Sequence, residues 1–190
     1  MKFRLPLLIA VGAVAAVACS DQSPFRAQYP NVLIFGYAYA MNGTHPALPT
    51  AVRVIRRNVS PIDATFAFDF AFDMDEFGFV TVHSARRVAN EIASVSRVGF
   101  MIDSVNPFDQ IAKAPATGFA YDTSMRLTAG NTLLVDVFEA ECQGRSFLGF
   151  NIRAKLQLDS VDATNRIVYF RMLPNVNCGF RSLLEGLPKE

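Results

Sequence analysis

The stretch TFAFDFAFDMDEFGFVTVH, residues 65–83, puts a phenylalanine or methionine at every second position: Phe66, Phe68, Phe70, Phe72 and Met74. Ala67, Asp69, Ala71, Asp73 and Asp75 fill the positions between. A helix turns about 100° per residue and would scatter those phenylalanines around its circumference. A strand sends alternate side chains to opposite faces and keeps them together. The segment therefore predicts a half-buried strand, apolar inward and acidic outward. Glu76-Phe77-Gly78 closes it in a turn, and Phe79 to His83 begins the return strand.

The same period of two runs through most of the chain. In NVLIFGYAYAM, residues 31–41, Leu33, Phe35, Tyr37 and Tyr39 share one face, with Ile34, Gly36 and Ala38 on the other. MNGTHPALP, residues 41–49, holds Asn42-Gly43 and two prolines and reads as a loop. AVRVIRR (51–57) and RVGFMIDSV (97–105) read as strands. SARRVANEIASVSR (84–97) reads as an irregular loop or one short helix, and FDQIAKA (108–114) as one or two helical turns between Pro107 and Pro115. SMRLTAGNTLLVDVFEAEC (124–142) predicts a hairpin around Ala129-Gly130-Asn131. FLGFNIRAKLQLDSVDATNRIVYFRML (147–173) predicts another, turning at Asp162 to Asn165. The tail NVNCGFRSLLEGLPKE (175–190) reads as coil pinned by Cys178. Short strands with frequent turns and almost no helix predict an all-β fold, an antiparallel β-sandwich of the immunoglobulin-like or transthyretin-like kind.

The N-terminus reads differently. Lys2 and Arg4 precede an apolar run from Leu5 to Val17, and Ala16-Val17-Ala18-Cys19 follows. This is the layout of a secretory signal helix. The run is too short to cross a hydrocarbon core, which needs about 20 residues. Small residues before a cysteine at the end of such a run resemble the lipobox of bacterial lipoproteins. That resemblance implies cleavage before Cys19, acylation of Cys19, and, with Ser20 rather than aspartate next, an outer-membrane address. The alternative is an ordinary signal cut after Ala18 that leaves Cys19 as a thiol. The expected organisation is a signal peptide over 1–18, a tether over 19–29 and a β-sandwich domain over 30–190.

The chain has 18 basic and 17 acidic residues. Lys2 and Arg4 leave with the signal, so the mature charge is close to zero. That balance gives no basic face for nucleic acid. The clusters Arg53, Arg56, Arg57 and Arg86, Arg87, Arg97 read as solvated strand edges, with an anionic ligand or lipid headgroups near the anchor as the alternative. Once Cys19 is acylated, Cys142 and Cys178 remain. An exported domain permits a disulfide between them, and the loop it closes corresponds to roughly 4 kcal/mol by chain entropy.

Two resemblances concern the domain. GYAYAMNGTHPALPTAVRVI resembles the opening of transthyretin-like or carboxypeptidase-regulatory modules, which are seven-stranded sandwiches; Gly36, Pro49, Ala51, Val52 and Val54 occupy corresponding places. The FDFAFDMD strand, the RVGF strand and the NCGFRS ending, Asn177 to Ser182, are similar to those of exported lipoproteins of environmental bacteria. Neither resemblance supplies a catalytic residue.

Catalytic signals are sparse. His83 and Ser84 are adjacent on a strand and point to opposite faces, and no G-x-S-x-G elbow occurs. His45 and His83 are the only histidines and lack zinc spacing. Asp73-Met74-Asp75-Glu76-Phe77-Gly78 partly follows a calcium loop, but Phe77 stands where the third oxygen ligand belongs and the distal glutamate is missing. Asp73 and Asp75 are therefore candidates for weak metal binding only, and no cofactor is expected. The chain has 17 phenylalanines and no tryptophan. The expected function is that of a non-enzymatic, lipid-anchored envelope module binding a protein, a glycan or another envelope component. The alternatives are a hydrolase using surface aspartates or His83, and a weak calcium-binding β domain.

Overall fold

The computed structural model describes residues 26–90, 95–144, 146 and 148–189. The signal and lipidation expectations, Cys19 included, lie outside the described residues. The strands are β1 (Ile34–Tyr39), β2 (Ala51–Arg53), β3 (Asn58–Ser60), β4 (Phe70–Met74), β5 (Val80–Ser84), β6 (Val98–Asp103), β7 (Ala120–Tyr121), β8 (Ser124–Leu127), β9 (Thr132–Phe138), β10 (Asn151–Asp162) and β11 (Ile167–Asn175). A four-residue helix, α1 (Ala85–Val88), follows β5, and 3-10 turns occupy Phe108–Gln110 and Ala140–Cys142. The strands form a six-stranded sheet, β1-β11-β10-β9-β6-β7, and a five-stranded sheet, β3-β2-β4-β5-β8. All their pairings are antiparallel. This is the all-β sandwich that the alternation predicts.

The inner faces meet in one large core. Phe70, Phe72 and Met74 of β4 enter it with Val80 and Val82 of β5, and Phe100, Val135, Leu156 and Phe170 enter from the six-stranded sheet. The rings of Phe72 and Phe170 lie 5.2 Å apart, and Phe70 meets Phe100 edge-on at 6.1 Å. Burying each such ring contributes about 1.5–3 kcal/mol. Gly36 leaves room for Phe170, because a Cβ there would come within 2.9 Å of that ring. Asp75 fixes the β4–β5 turn by accepting from the backbone N–H of Phe77 and Phe79.

The strand of residues 66–74 is shorter than the alternation implies. Asp63 accepts from the backbone and hydroxyl of Thr65, and Phe66 adopts a left-handed φ of 47°. That turn breaks the pleat, so ladder pairing starts only at Phe70. Phe68 is buried, but in a second cluster with Ala51, Ala71, Ala85 and Ala89. The face expected to be acidic and solvated is covered there, and Asp69 has no exposure at all.

The expected hairpin around Ala129-Gly130-Asn131 is not one. β8 pairs with β5, whereas β9 pairs with β6 and β10. The turn closed by Asn131 N–H on the Thr128 carbonyl carries the chain from one sheet to the other. The second hairpin forms as expected: β10 and β11 pair antiparallel around a turn in which Asp162 accepts from Asn165. α1 opens the segment expected to be an irregular loop or one short helix, and a 3-10 turn at Phe108–Gln110 stands where one or two helical turns are expected.

Cys142 and Cys178 are at disulfide distance, with Cα atoms 5.5 Å apart, and join the ends of β9 and β11. The tail beyond is held by more than this link. Leu183 is fully buried against Ile111, Ala114 and Leu134, and its N–H bonds the Ala112 carbonyl. Gly186 bridges to Asn31, and the Asn31 side chain donates to the carbonyls of Ser182 and Leu184.

Candidate functional sites

His83 faces outward from β5, opposite Ser124 of β8 in the ladder. Its Nδ1 lies 2.6 Å from Ser124 Oγ. Partial burial holds the imidazole below the ordinary histidine range, against the pull of Asp73. The two side chains border an open cleft of about 650 Å³ that Met41, Asn42, Arg87 and Asn90 also line. Among the described residues no carboxylate bonds the other imidazole nitrogen. The expected pairing problem of His83 with Ser84 is real: Ser84 is buried and caps α1, its hydroxyl accepting from Arg87 N–H. Ser124 escaped sequence reading because a cross-strand neighbour 41 positions away leaves no local signal. His45 stands apart in its loop, where Nδ1 accepts from Ala47 N–H.

Asp73 and Asp75 do not converge on a cation. Asp73 accepts from the Asn42 backbone and side chain and from Met74 N–H, with Arg166 3.8 Å away. Asp75 staples the β4–β5 turn and faces Arg126 at 3.6 Å. Among the described residues, His, Cys, Asp and Glu form no group able to hold a metal ion.

The strongest charge cluster is internal. Arg53, expected on a solvated edge, reaches between the sheets. Its Nη1 is 3.2 Å from Asp69 Oδ1, and its Nη2 contacts both Glu139 oxygens, at 2.9 and 3.2 Å. Asp69 also accepts from Val54 N–H at 2.6 Å. Burial pushes its carboxyl up to about 6, beyond what Arg53 and Val54 pull back. Two buried carboxylates on one guanidinium form a clamp between the layers, not an open site. Of its neighbours, Arg56 pairs with Glu141 on the surface, and Arg57 donates to the Pro30 carbonyl.

The outer face of the six-stranded sheet has two halves. On one, the segment 108–119 and the tail seal Leu134 and Met101 under Ile111, Ala114, Phe119 and Leu183. Lys155 is buried there. Its Nζ donates to the carbonyls of Phe108 and Ile111 at 2.7 and 3.0 Å, and burial lowers its pKa. Nearby, Tyr121 donates to Asp136, which also pairs with Arg153; burial and then that hydrogen bond push the phenol up to about 12. The other half is bare. Phe35 and Tyr37 of β1 are 73% and 50% exposed, and Tyr169 of β11 is 40% exposed. Tyr37 packs beside Tyr39 and Tyr169, with ring centroids 6.1 and 6.3 Å away. The sequence grouped Phe35, Tyr37 and Tyr39 on one face; that this face looks outward follows from Ala38 entering the core and Phe170 lying under Gly36.

No protein-family model, no curated protein and no solved structure matches this chain.

Proposed function

We propose that this chain is an exported, lipid-anchored envelope protein whose β-sandwich serves as a binding or structural module rather than a catalyst. The anchor reading rests on the sequence Ala16-Val17-Ala18-Cys19 after a short apolar run. The binding reading is carried by one observation: the exposed aromatic row Phe35, Tyr37 and Tyr169 on a sheet otherwise well covered. Solvent-facing aromatics grouped in this way mark interaction surfaces. The anchor is tested by metabolic labelling with an alkyne fatty acid and fractionation. Label and membrane association, both lost in Cys19→Ala, are the expected result. A Cys19→Ala protein that stays membrane-bound with label and mobility unchanged contradicts it.

One observation favours a second reading, hydrolysis: the 2.6 Å approach of His83 Nδ1 to Ser124 Oγ beside a cleft. A nucleophile needs a base that is itself oriented, and no carboxylate among the described residues bonds this imidazole. A fluorophosphonate probe decides between the readings. Labelling that disappears in Ser124→Ala establishes the hydrolase, and absence of labelling at Ser124 favours the binding module.

A further inference from the structure

We infer that the bare aromatic row on β1 and β11 is the surface with which the domain lies on its own membrane, at the headgroup level; this rests on the lipid-anchor reading of Cys19. The connection is short. The seven steps from Cys19 to Arg26 span at most about 25 Å even when fully extended. From Arg26 the chain is tied down almost at once. Asn177 Oδ1 accepts from the N–H groups of Gln28 and Tyr29, and its Nδ2 donates to the Tyr29 carbonyl. Asn31 bonds the tail, and β1 begins at Ile34. Among the described residues, the first strand after the anchor is therefore the one that carries the row, and Tyr29 and Val32, both exposed, lie on the way.

The chemistry of the row fits that occupant. Tyrosine places an apolar ring and a polar hydroxyl where hydrocarbon gives way to headgroups, and aromatic belts at this depth are the general pattern. Phe35 supplies the most exposed ring of the row. Beside it, the ion pair of Arg171 with Asp159, 2.7 Å apart, leaves the flank neutral. The contact is therefore one of aromatic insertion and not of attraction to anionic lipid. An acyl anchor raises the local concentration of this face at the bilayer, so the insertion itself need only be weak.

The chain lacks tryptophan and has five tyrosines, of which Tyr29, Tyr37, Tyr39 and Tyr169 precede, lie in or flank the row. Tyrosine emission therefore reports directly on it. The acylated full protein is reconstituted into neutral phosphatidylcholine vesicles, with and without brominated acyl chains. The expected result is strong quenching by brominated lipid, unchanged when anionic lipid is added, and lost in Phe35→Asp although that variant remains acylated and vesicle-bound. Phe35 is mostly exposed, so the substitution leaves folding intact, checked by its circular dichroism. Acylated, vesicle-bound wild type whose tyrosines are unquenched overturns the inference while leaving the anchor reading standing. A chain without acyl groups that stays in the soluble fraction overturns the anchor reading itself. A protein whose row is shielded by self-association, seen as concentration-dependent cross-linking without quenching, assigns the row to a second copy and also overturns the inference.

Discussion

Lys155 and Arg171 stand on neighbouring strands of one sheet, point to the same side and both approach the ring of Phe108. Lys155 is sealed beneath the 108–119 segment, with its charge spent on two backbone carbonyls. Arg171 keeps solvent and a surface partner, Asp159. The strands obey the same alternation on both halves. What separates them is a covering made by distant chain: one excursion after β6 and one tail after β11. Whether an outward residue is buried is thus decided by segments that leave no trace in the strand's own pattern.

The contrast breaks most readily at the covering. Reducing Cys142–Cys178 is expected to lower stability by roughly 4 kcal/mol, from the loop it closes. Leu183 is held independently, so its amide should stay protected from hydrogen exchange in the reduced protein; early exchange there would make the disulfide the tail's main attachment. Leu183→Ala is expected to cost about 2–5 kcal/mol in denaturant unfolding, as a fully buried leucine. Phe35→Ala on the bare half should stay within about 0.5 kcal/mol. Similar losses at the two positions would erase the distinction.

Lys155→Met sharpens the comparison at one chemical type. It leaves the Phe108 and Ile111 carbonyls without their donor, with an expected cost of about 1–3 kcal/mol. Arg171→Met removes a surface pair and should cost under about 1 kcal/mol. Calorimetric midpoints of the two variants measure the difference.

The five-stranded sheet repeats the lesson at Asp69. Its folded pKa of about 6 lies above the ordinary 3.8, so the native state binds the extra proton. This group's contribution is fully present below pH 3.8 and is lost as pH rises through about 6. Stability measured between those values should therefore show a component that falls with rising pH and is removed in Asp69→Asn. A solvated Asp69 would show no such component.

The fold class was legible because Phe70, Phe72 and Met74 keep the period of two, and no helix accommodates that. The β10–β11 hairpin was legible from its own turn residues. Asp69 misled because a local turn at 63–66 and the helix α1 cover a face that alternation alone assigns to water; Phe68 is buried as expected, but that turn sends it into the second cluster. The 124–142 segment misled because a tight turn looks alike whether it joins strands of one sheet or of two. The site was less legible still. His83 was visible, but its partner Ser124 is a neighbour only through strand pairing, and the outward direction of Tyr37 depends on what packs under Gly36.

Hydroxyl-radical footprinting of the purified folded protein tests the two-halves account most directly. Phe35, Tyr37 and Tyr169 should oxidise rapidly, while Phe108 and Phe180, 3% and 5% exposed, stay protected until unfolding. Oxidation of Phe108 at the rate of Phe35 in the native protein would show that the covering is not there, and the contrast would fall.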